Sequence, residues 1–519
     1  MSSYLYKKFS YNNAEQFKEA FYEPEPATVG YVFIGKNTPY ANDSSPDVIT
    51  DSAYDEKSIW DNMIAAKRVT GNDVELVVPR IYWTANTRYM QFDDKLTVET
   101  LTTANVSNTV QDIYPMYILN SEGDVYLCLS NNITANSTVE PTGENLSANG
   151  IIQTADQYLW KYMYTIKPSN KFLTTYWMPV PISTNKLEYN SSSLTVVDGE
   201  LTTVVVTNSG TGYVDSTITL QSFSTSCTTF TVANTNNLAV NMGITGTGFV
   251  GDTYITNIDN VNRLITLSQS AVSSGGGAGN TYNVFTRVLI SGDGTGAQAE
   301  PTYSGNTISK INVTNYGKNY SFANVVIHGT GSNAAARVVL PPKYGHNYNA
   351  AKELGATNVM IAVRIGEIDS TENGIISANV TFRQYGLMRD PHKYGNTSPV
   401  TLQYANSVIS QTTDVDLISG ALFNSNEFVY QGSSSSNTTF SGTVIDQSAN
   451  KVYLTNVKGT PSLGEVLKGT STNISGRSVV DFKNAEFEPY SGDILYVENA
   501  LSTQRTDGQS ENIKFVVKF

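Results

Sequence analysis

The stretch Leu76-Val77-Val78-Pro79-Arg80-Ile81-Tyr82-Trp83-Thr84-Ala85-Asn86-Thr87-Arg88-Tyr89-Met90-Gln91-Phe92 restricts the chain more than any other. Val77 and Val78 suit a pleated, half-buried surface, Pro79 lacks the N–H that would carry a ladder further, and Asn86 favours a turn. A strand therefore ends here and gives way to an ordered loop rich in aromatic rings. The planar guanidinium groups of Arg80 and Arg88 can stack on Tyr82, Trp83 or Tyr89 while bonding carbonyls or carboxylates. Such a loop serves as an internal clamp or as a protein-binding edge.

Local patterns extend the reading in both directions. Asn13-Ala14-Glu15-Gln16 reads as a capping box with Phe17, Ala20 and Phe21 on one helical face, and Ile59, Trp60, Met63 and Ile64 predict a helix over 55–68 that Gly71 stops. From Gln157 the period changes to two, placing Tyr158, Trp160, Tyr162, Tyr164 and Ile166 on one strand face. Segments 204–213 and 311–320 each run a strand into a glycine turn capped by tyrosine. Strands at 216–220 and 324–328 are expected to follow them, then Gly-Thr-Gly turns at Gly294 and Gly329. Short strands between Thr229 and Phe285 mark a module nested inside this repeat, with the glycine-rich run 273–279 as its flexible tip. A short helix over 349–354 ends at Gly355, and a further insert with the strand pattern of a small barrel or sandwich spans 417–480. The last strand alternates Ile513, Phe515, Val517 and Phe519 against Lys514 and Lys518, which predicts that it is tied into a core sheet.

These patterns predict a mainly β, multidomain protein with a few short helices: a mixed α+β, sandwich-like core carrying inserted β-modules. The expected segments are 1–186 and 343–416 as two parts of the core, 187–342 as the repeat region with its nested insert at about 225–285, 417–480 as a small β-domain, and 481–519 as closing strands. A length of 519 residues with 40% hydrophobic and 15% charged residues fits such a globular β protein. A net charge of -13 argues against a phosphate-backbone partner. Residues 1–8 hold no apolar signal core, and no segment approaches the ~18 apolar residues of a membrane span. Cys128 and Cys227 read as two small buried hydrophobes.

Signals for chemistry are weak. His328, His346 and His392 show no metal-ligand or triad spacing, and Gly246-Thr247-Gly248-Phe249-Val250-Gly251 lacks the strand and helix that a nucleotide fingerprint needs. Three carboxylate clusters, Asp93-Asp94, Asp414 with Asp416, and Glu486 with Glu488, are the candidates for glycan cleavage, with a solvated charged edge as the simpler account. Asp293 in its glycine turn is an acidic turn rather than a calcium site. No enzyme activity, cofactor or metal is expected. Tyr and Asn on the protruding β-modules offer stacking and hydrogen bonding to sugars, and equally to proteins.

The pattern Val78-Pro79-Arg80-x-x-Trp83 followed by Thr87-Arg88-Tyr89 resembles the small dimeric baseplate wedge subunit of contractile-tailed phages of the T-even type. In the same order come Gly35-Lys36-Asn37-Thr38-Pro39-Tyr40 after a first strand, 125–129, Thr138-Val139-Glu140-Pro141, 157–162, Phe382-Arg383-Gln384 and 492–499 leading to 513–515. The resemblance spans roughly the first 185 residues and parts of the last 175. It implies a structural wedge component of the virion baseplate, assembled in a host cytoplasm. It further implies a homodimer that contacts other wedge subunits and fibre-associated proteins, while the charge and the lack of a long apolar segment argue for no nucleic acid and no membrane insertion. Arg80, Trp83, Arg88, Tyr89 and Trp160 are the expected interface or scaffold cluster, Trp160 within the core. The alternatives are a host-glycan adhesin acting through the inserts and, further off, a polysaccharide depolymerase. The repeat region resembles β-modules common in phage tail and baseplate proteins.

Overall fold

A computed structural model describes residues 7–22, 29–95, 116–133, 135–145, 149–181, 196–366, 380–398, 408–471, 476–506 and 508–519, with strand pieces at 106–107, 110–111 and 189–190. The chain is mainly β, built from several antiparallel sheets with a few short helices. Contacts group it into two compact units, Met1–Val78 with Trp177–Val180 and Gly355–Phe519, and Pro79–Tyr176 with Pro181–Leu354. The boundary cuts the expected segment 1–186 at Pro79, the residue that ends the ladder.

In the first unit one sheet runs Val408–Ser410, Met63–Arg68, Gly30–Gly35, Thr381–Arg389, Asp493–Gln504. A second runs Trp177–Pro179, Val74–Pro79, Asn358–Ile365, Glu511–Lys518. Tyr31, Phe33, Trp60, Met63, Met388 and Phe487 cluster as one core. The closing strand pairs with Asn358–Ile365 along its whole length, burying Ile513 and Phe515 and exposing Lys514 and Lys518 as the alternation requires.

Two described α-helices of this unit differ from their sequence reading. Helix α1 (Lys7–Glu19) already covers Asn13, so the expected capping box lies mid-helix; the buried stripe Tyr11, Ala14, Lys18 begins six residues before Phe17. Helix α2 (Ala53–Asn62) is capped by Ser52, whose hydroxyl accepts from the Asp55 N–H at 3.2 Å, and it stops at Met63. Met63–Arg68 is a strand buried at every position. A strand paired on both edges and covered on both faces shows no alternation, and its Met-Ile-Ala-Ala run imitates a continuing helix.

The second unit contains a sheet in the order Tyr189–Asn190, Leu159–Ile166, Asp124–Ser130, Tyr117–Leu119, with Ile151–Gln153 also paired to Leu159–Ile166. Its Tyr158, Trp160, Tyr162 and Ile166 are buried as expected, but Lys161 and Met163 on the other face are buried too. Helix α3 (Ala350–Glu353) is capped by Asn349, whose side chain accepts from the Lys352 N–H.

The repeat region of this unit closes into a six-stranded barrel of β1 (Thr203–Thr211), β2 (Arg287–Gly292), β3 (Thr295–Ser304), β4 (Thr307–Lys318), β5 (Ala323–His328) and β6 (Ser332–Val339), ordered β1-β4-β3-β2-β5-β6. It is two three-stranded halves related by a pseudo-twofold axis. Val204 pairs with Ile311, its own counterpart, and the pair Val288 with Ile327 has its image in Ile290 with Val325. Two details of the sequence reading change. The counterpart of β5 is β2, not 216–220, because the insert interrupts the first half two residues after Tyr213. The turn that matches Gly329-Thr330-Gly331 is Gly292-Asp293-Gly294, two residues before the Gly-Thr-Gly run at Gly294.

The nested module starts earlier than its sequence signal. Ser216–Ile218 pairs with Tyr282–Phe285, and Leu220, Phe230, Met242, Ile244, Ile265 and Tyr282 share a core of their own. In the first unit, a second closed barrel is formed by β7 (Thr413–Leu417), β8 (Phe428–Ser434), β9 (Asn437–Gln447), β10 (Lys451–Gly459), β11 (Val466–Gly469) and β12 (Arg477–Lys483). Its order, β7-β10-β9-β8-β11-β12, repeats that of the first barrel strand for strand.

Candidate functional site

After Pro79 the chain turns into the aromatic loop, and Asn86 takes the left-handed conformation (φ 63°) that the sequence requires there. Arg80 lays its guanidinium 4.3 Å from the centre of the Tyr82 ring, donates to the Thr174 carbonyl, and donates its backbone N–H to the Tyr176 carbonyl at 2.8 Å. Tyr82 is 50% exposed and Tyr176 77%. Trp83 donates its indole N–H to Ser137 Oγ at 3.1 Å and packs against the inner cluster.

That cluster contains Tyr89, Tyr126, Cys128, Tyr158, Trp160 and Tyr162, all buried. Tyr158 and Trp160 stack at 5.5 Å, and Tyr89 meets the Trp160 ring edge-on at 5.4 Å. The Tyr89 hydroxyl accepts from the Thr84 N–H at 2.7 Å and donates to the Thr84 carbonyl at 3.2 Å, which ties the loop tip to the core. Burial raises the phenol pKa of Tyr158 to about 12 and pushes the Cys128 thiol well above its ordinary value, so neither ionises near neutrality. Of the expected cluster, Tyr89 and Trp160 thus meet in the core with Trp83 against them. Arg80 holds the exposed edge, and Arg88 lines a separate cleft.

The carboxylate candidates are committed to structure. Asp93 and Asp94 both hold Arg337. Asp414, its pKa raised by burial, accepts from Thr412 Oγ1 at 2.8 Å, and Asp416 pairs with Lys451 at 3.3 Å. Glu486 accepts from Lys483 at 3.0 Å and Glu488 from the Gly395 N–H at 2.9 Å. Asp293 caps a turn, its Oδ1 accepting the N–H groups of Ser321 at 2.9 Å and Phe322 at 3.2 Å. In the other half of the barrel the matching Thr330 Oγ1 accepts the Val214 N–H at 3.0 Å. Gly246 to Gly251 forms turns of the nested module and leads into the strand Ile255–Asp259. Tyr213 and Tyr320 are buried against glycines, which leaves neither ring open to stack on a sugar.

One constellation has no sequence signal. Thr202 Oγ1 lies 2.6 Å from His346 Nε2, and His346 Nδ1 meets Glu353 Oε1, while Glu353 Oε2 accepts the Asn347 N–H at 2.9 Å. The order hydroxyl, imidazole, carboxylate is that of a nucleophilic triad. Thr202 and His346 are only 1% and 2% exposed, so the relay works as an internal tie that no substrate reaches. Lys161, 2% exposed, pairs with Glu200 at 3.3 Å within the same unit. Among the described residues, no three His, Cys, Asp or Glu side chains gather as a metal ion requires.

Fold and loop together define a class: a multi-barrel β protein whose ordered aromatic loop presents an exposed Tyr82 ring stacked on a half-buried Arg80. Compared with known proteins, the chain matches no family model and no curated protein.

Proposed function

We propose that the protein is a structural wedge component of a contractile phage tail baseplate, acting by assembly and holding peripheral, fibre-bearing parts. The observation that carries this reading is the edge where the exposed Tyr82 and Tyr176 rings flank a half-buried Arg80, fixed in place by the buried cluster behind the loop. Tyr and Arg presented on a rigid backbone are the residue types that anchor protein interfaces, because they bury large area at low entropic cost. The ordered motifs that resemble the T-even-type wedge subunit supply the identity of the partners: a second copy of this chain, other wedge subunits and fibre-associated proteins.

The joint substitution Tyr82→Ala and Tyr176→Ala tests it. Both rings are largely exposed, so the variant is expected to keep the wild-type melting curve while fewer baseplates assemble, read as the yield of sedimenting particles on complementation. Assembly at wild-type yield would count against the edge as an interface.

A further inference from the structure

Three side chains of the second unit converge: Lys161 on the strand Leu159–Ile166, Asn149 in the turn that leads into Ile151–Gln153, and Glu200 just before β1. Strand pairing brings the first two together, because Ile151 is the partner of Lys161. Lys161 Nζ donates to the Asn149 backbone carbonyl at 2.7 Å and to Glu200 Oε1 at 3.3 Å. Asn149 Nδ2 donates to the same Oε1 at 3.3 Å and to Oε2 at 3.0 Å. One carboxylate therefore touches an amine and a side-chain amide at once.

The side chains of Lys161 and Glu200 are 2% and 6% exposed. Charges buried to that degree are costly unless the groups around them are fully paired. One group here is not, since Asn149 Oδ1 is buried and accepts no hydrogen bond. An amide whose nitrogen is held while its oxygen stands free adds little as a structural tie, and the amine beside it is a nucleophile once it gives up a proton. The competing nucleophile of an Asn-Gly pair, the Gly150 N–H, is engaged by the Asn145 carbonyl at 3.0 Å.

From this arrangement we infer that Lys161 and Asn149 become covalently joined, Lys161 Nζ forming an isopeptide bond to Asn149 Cγ with Glu200 as base and then acid. Glu200 takes one proton from the Lys161 ammonium, and the freed amine attacks Asn149 Cγ. The Cγ–Nδ2 bond breaks as Glu200 returns that proton to Nδ2. Nζ sheds a second proton, which departs with the released ammonia as ammonium, so Glu200 ends as it began. Proximity favours the step, because both reacting groups are already bound to the one carboxylate. The new bond pins Ile151–Gln153 to Leu159–Ile166, the strand it pairs with. The inference stands apart from the baseplate reading, and a failed assembly test leaves it untouched.

The test is mass spectrometry of the full chain. The wild type is expected to be lighter than its sequence by one ammonia. A protease that cuts before aspartate should leave fragment 124–155, which carries Asn149, joined to fragment 156–197, which carries Lys161. Lys161→Arg keeps the charge but lacks the amine, so it should keep the ammonia and give separate fragments. Glu200→Gln should lower the joined fraction at least about tenfold, the scale of a lost acid–base group. Melting curves verify that both variants fold, and the wild-type fragments decide the bond whether or not they do. Separate fragments from the wild type would overturn the proposal, as would ammonia loss without joining, which would mark ring closure of Asn149 onto Gly150. A joined fraction that Glu200→Gln leaves unchanged in a folded chain would overturn the role of Glu200.

Discussion

The Tyr320 ring lies against Gly292, Gly294 and Gly317, and a Cβ at Gly294 would come within 2.4 Å of it. Tyr213 occupies the same place in the other half of the barrel, against Gly329, Gly331 and Gly210. The glycines are thus the shape complement of the tyrosines, and either partner alone is misfit. Tyr320→Ala is expected to lower unfolding free energy by about 3–5 kcal/mol, as large-to-small aromatic substitutions in cores do; denaturant titration measures this, and a loss under about 1 kcal/mol would contradict the packing role. Asp293 beside this turn is exposed, and hydrogen bonds from the Ser321 hydroxyl, the Ser321 N–H and the Phe322 N–H lower its pKa to about 2 from 3.8. A carboxyl depressed by folding stabilises the native state fully above its unfolded pKa, and that contribution is lost as pH falls through the folded one. The difference in melting temperature between wild type and Asp293→Asn should therefore be flat above about pH 5 and close between about pH 4 and 2. The tyrosine and glycine positions are legible in the sequence because a left-handed turn and a close ring contact admit few residue types. Thr202, His346 and Glu353 are not legible, since nothing periodic links residues that meet only through the fold.

At the scale of elements, the nested module sits where the other half of the barrel has only a short turn. Val214 and Ser321 are equivalent, and both donate their N–H to the side chain of the matching turn, Thr330 in one half and Asp293 in the other. Because the module has its own core, replacing residues 216–284 by a two-residue turn is expected to leave the barrel folded. A cooperative unfolding transition in the shortened chain checks this, and its loss would show that the module supports the barrel. The last strand is legible because one face is buried and the other solvated, which writes a period of two into its residues. Met63–Arg68 is not, because a strand buried throughout loses that period, and the sequence reading prolongs α2 through it. Ser216–Ile218 looks like a repeat strand for a related reason: three residues next to the repeat carry too little pattern to reveal which sheet they join.

Across the whole molecule, two closed barrels, one in each unit, follow the same strand order although only the first carries the glycine and tyrosine repeat. Strand route is set by which edges pair, and many sequences of alternating apolar residues can follow one route. That is why the sequence announces the second barrel as a small β-domain without showing its kinship to the first. The central claim, a scaffold role in the tail baseplate, is a claim about location. Intact virions labelled with antibody raised against residues 29–95, and imaged by negative-stain electron microscopy, test it most directly. The account predicts label on the baseplate; label at the fibre tips, or a virion lacking the protein, would contradict it.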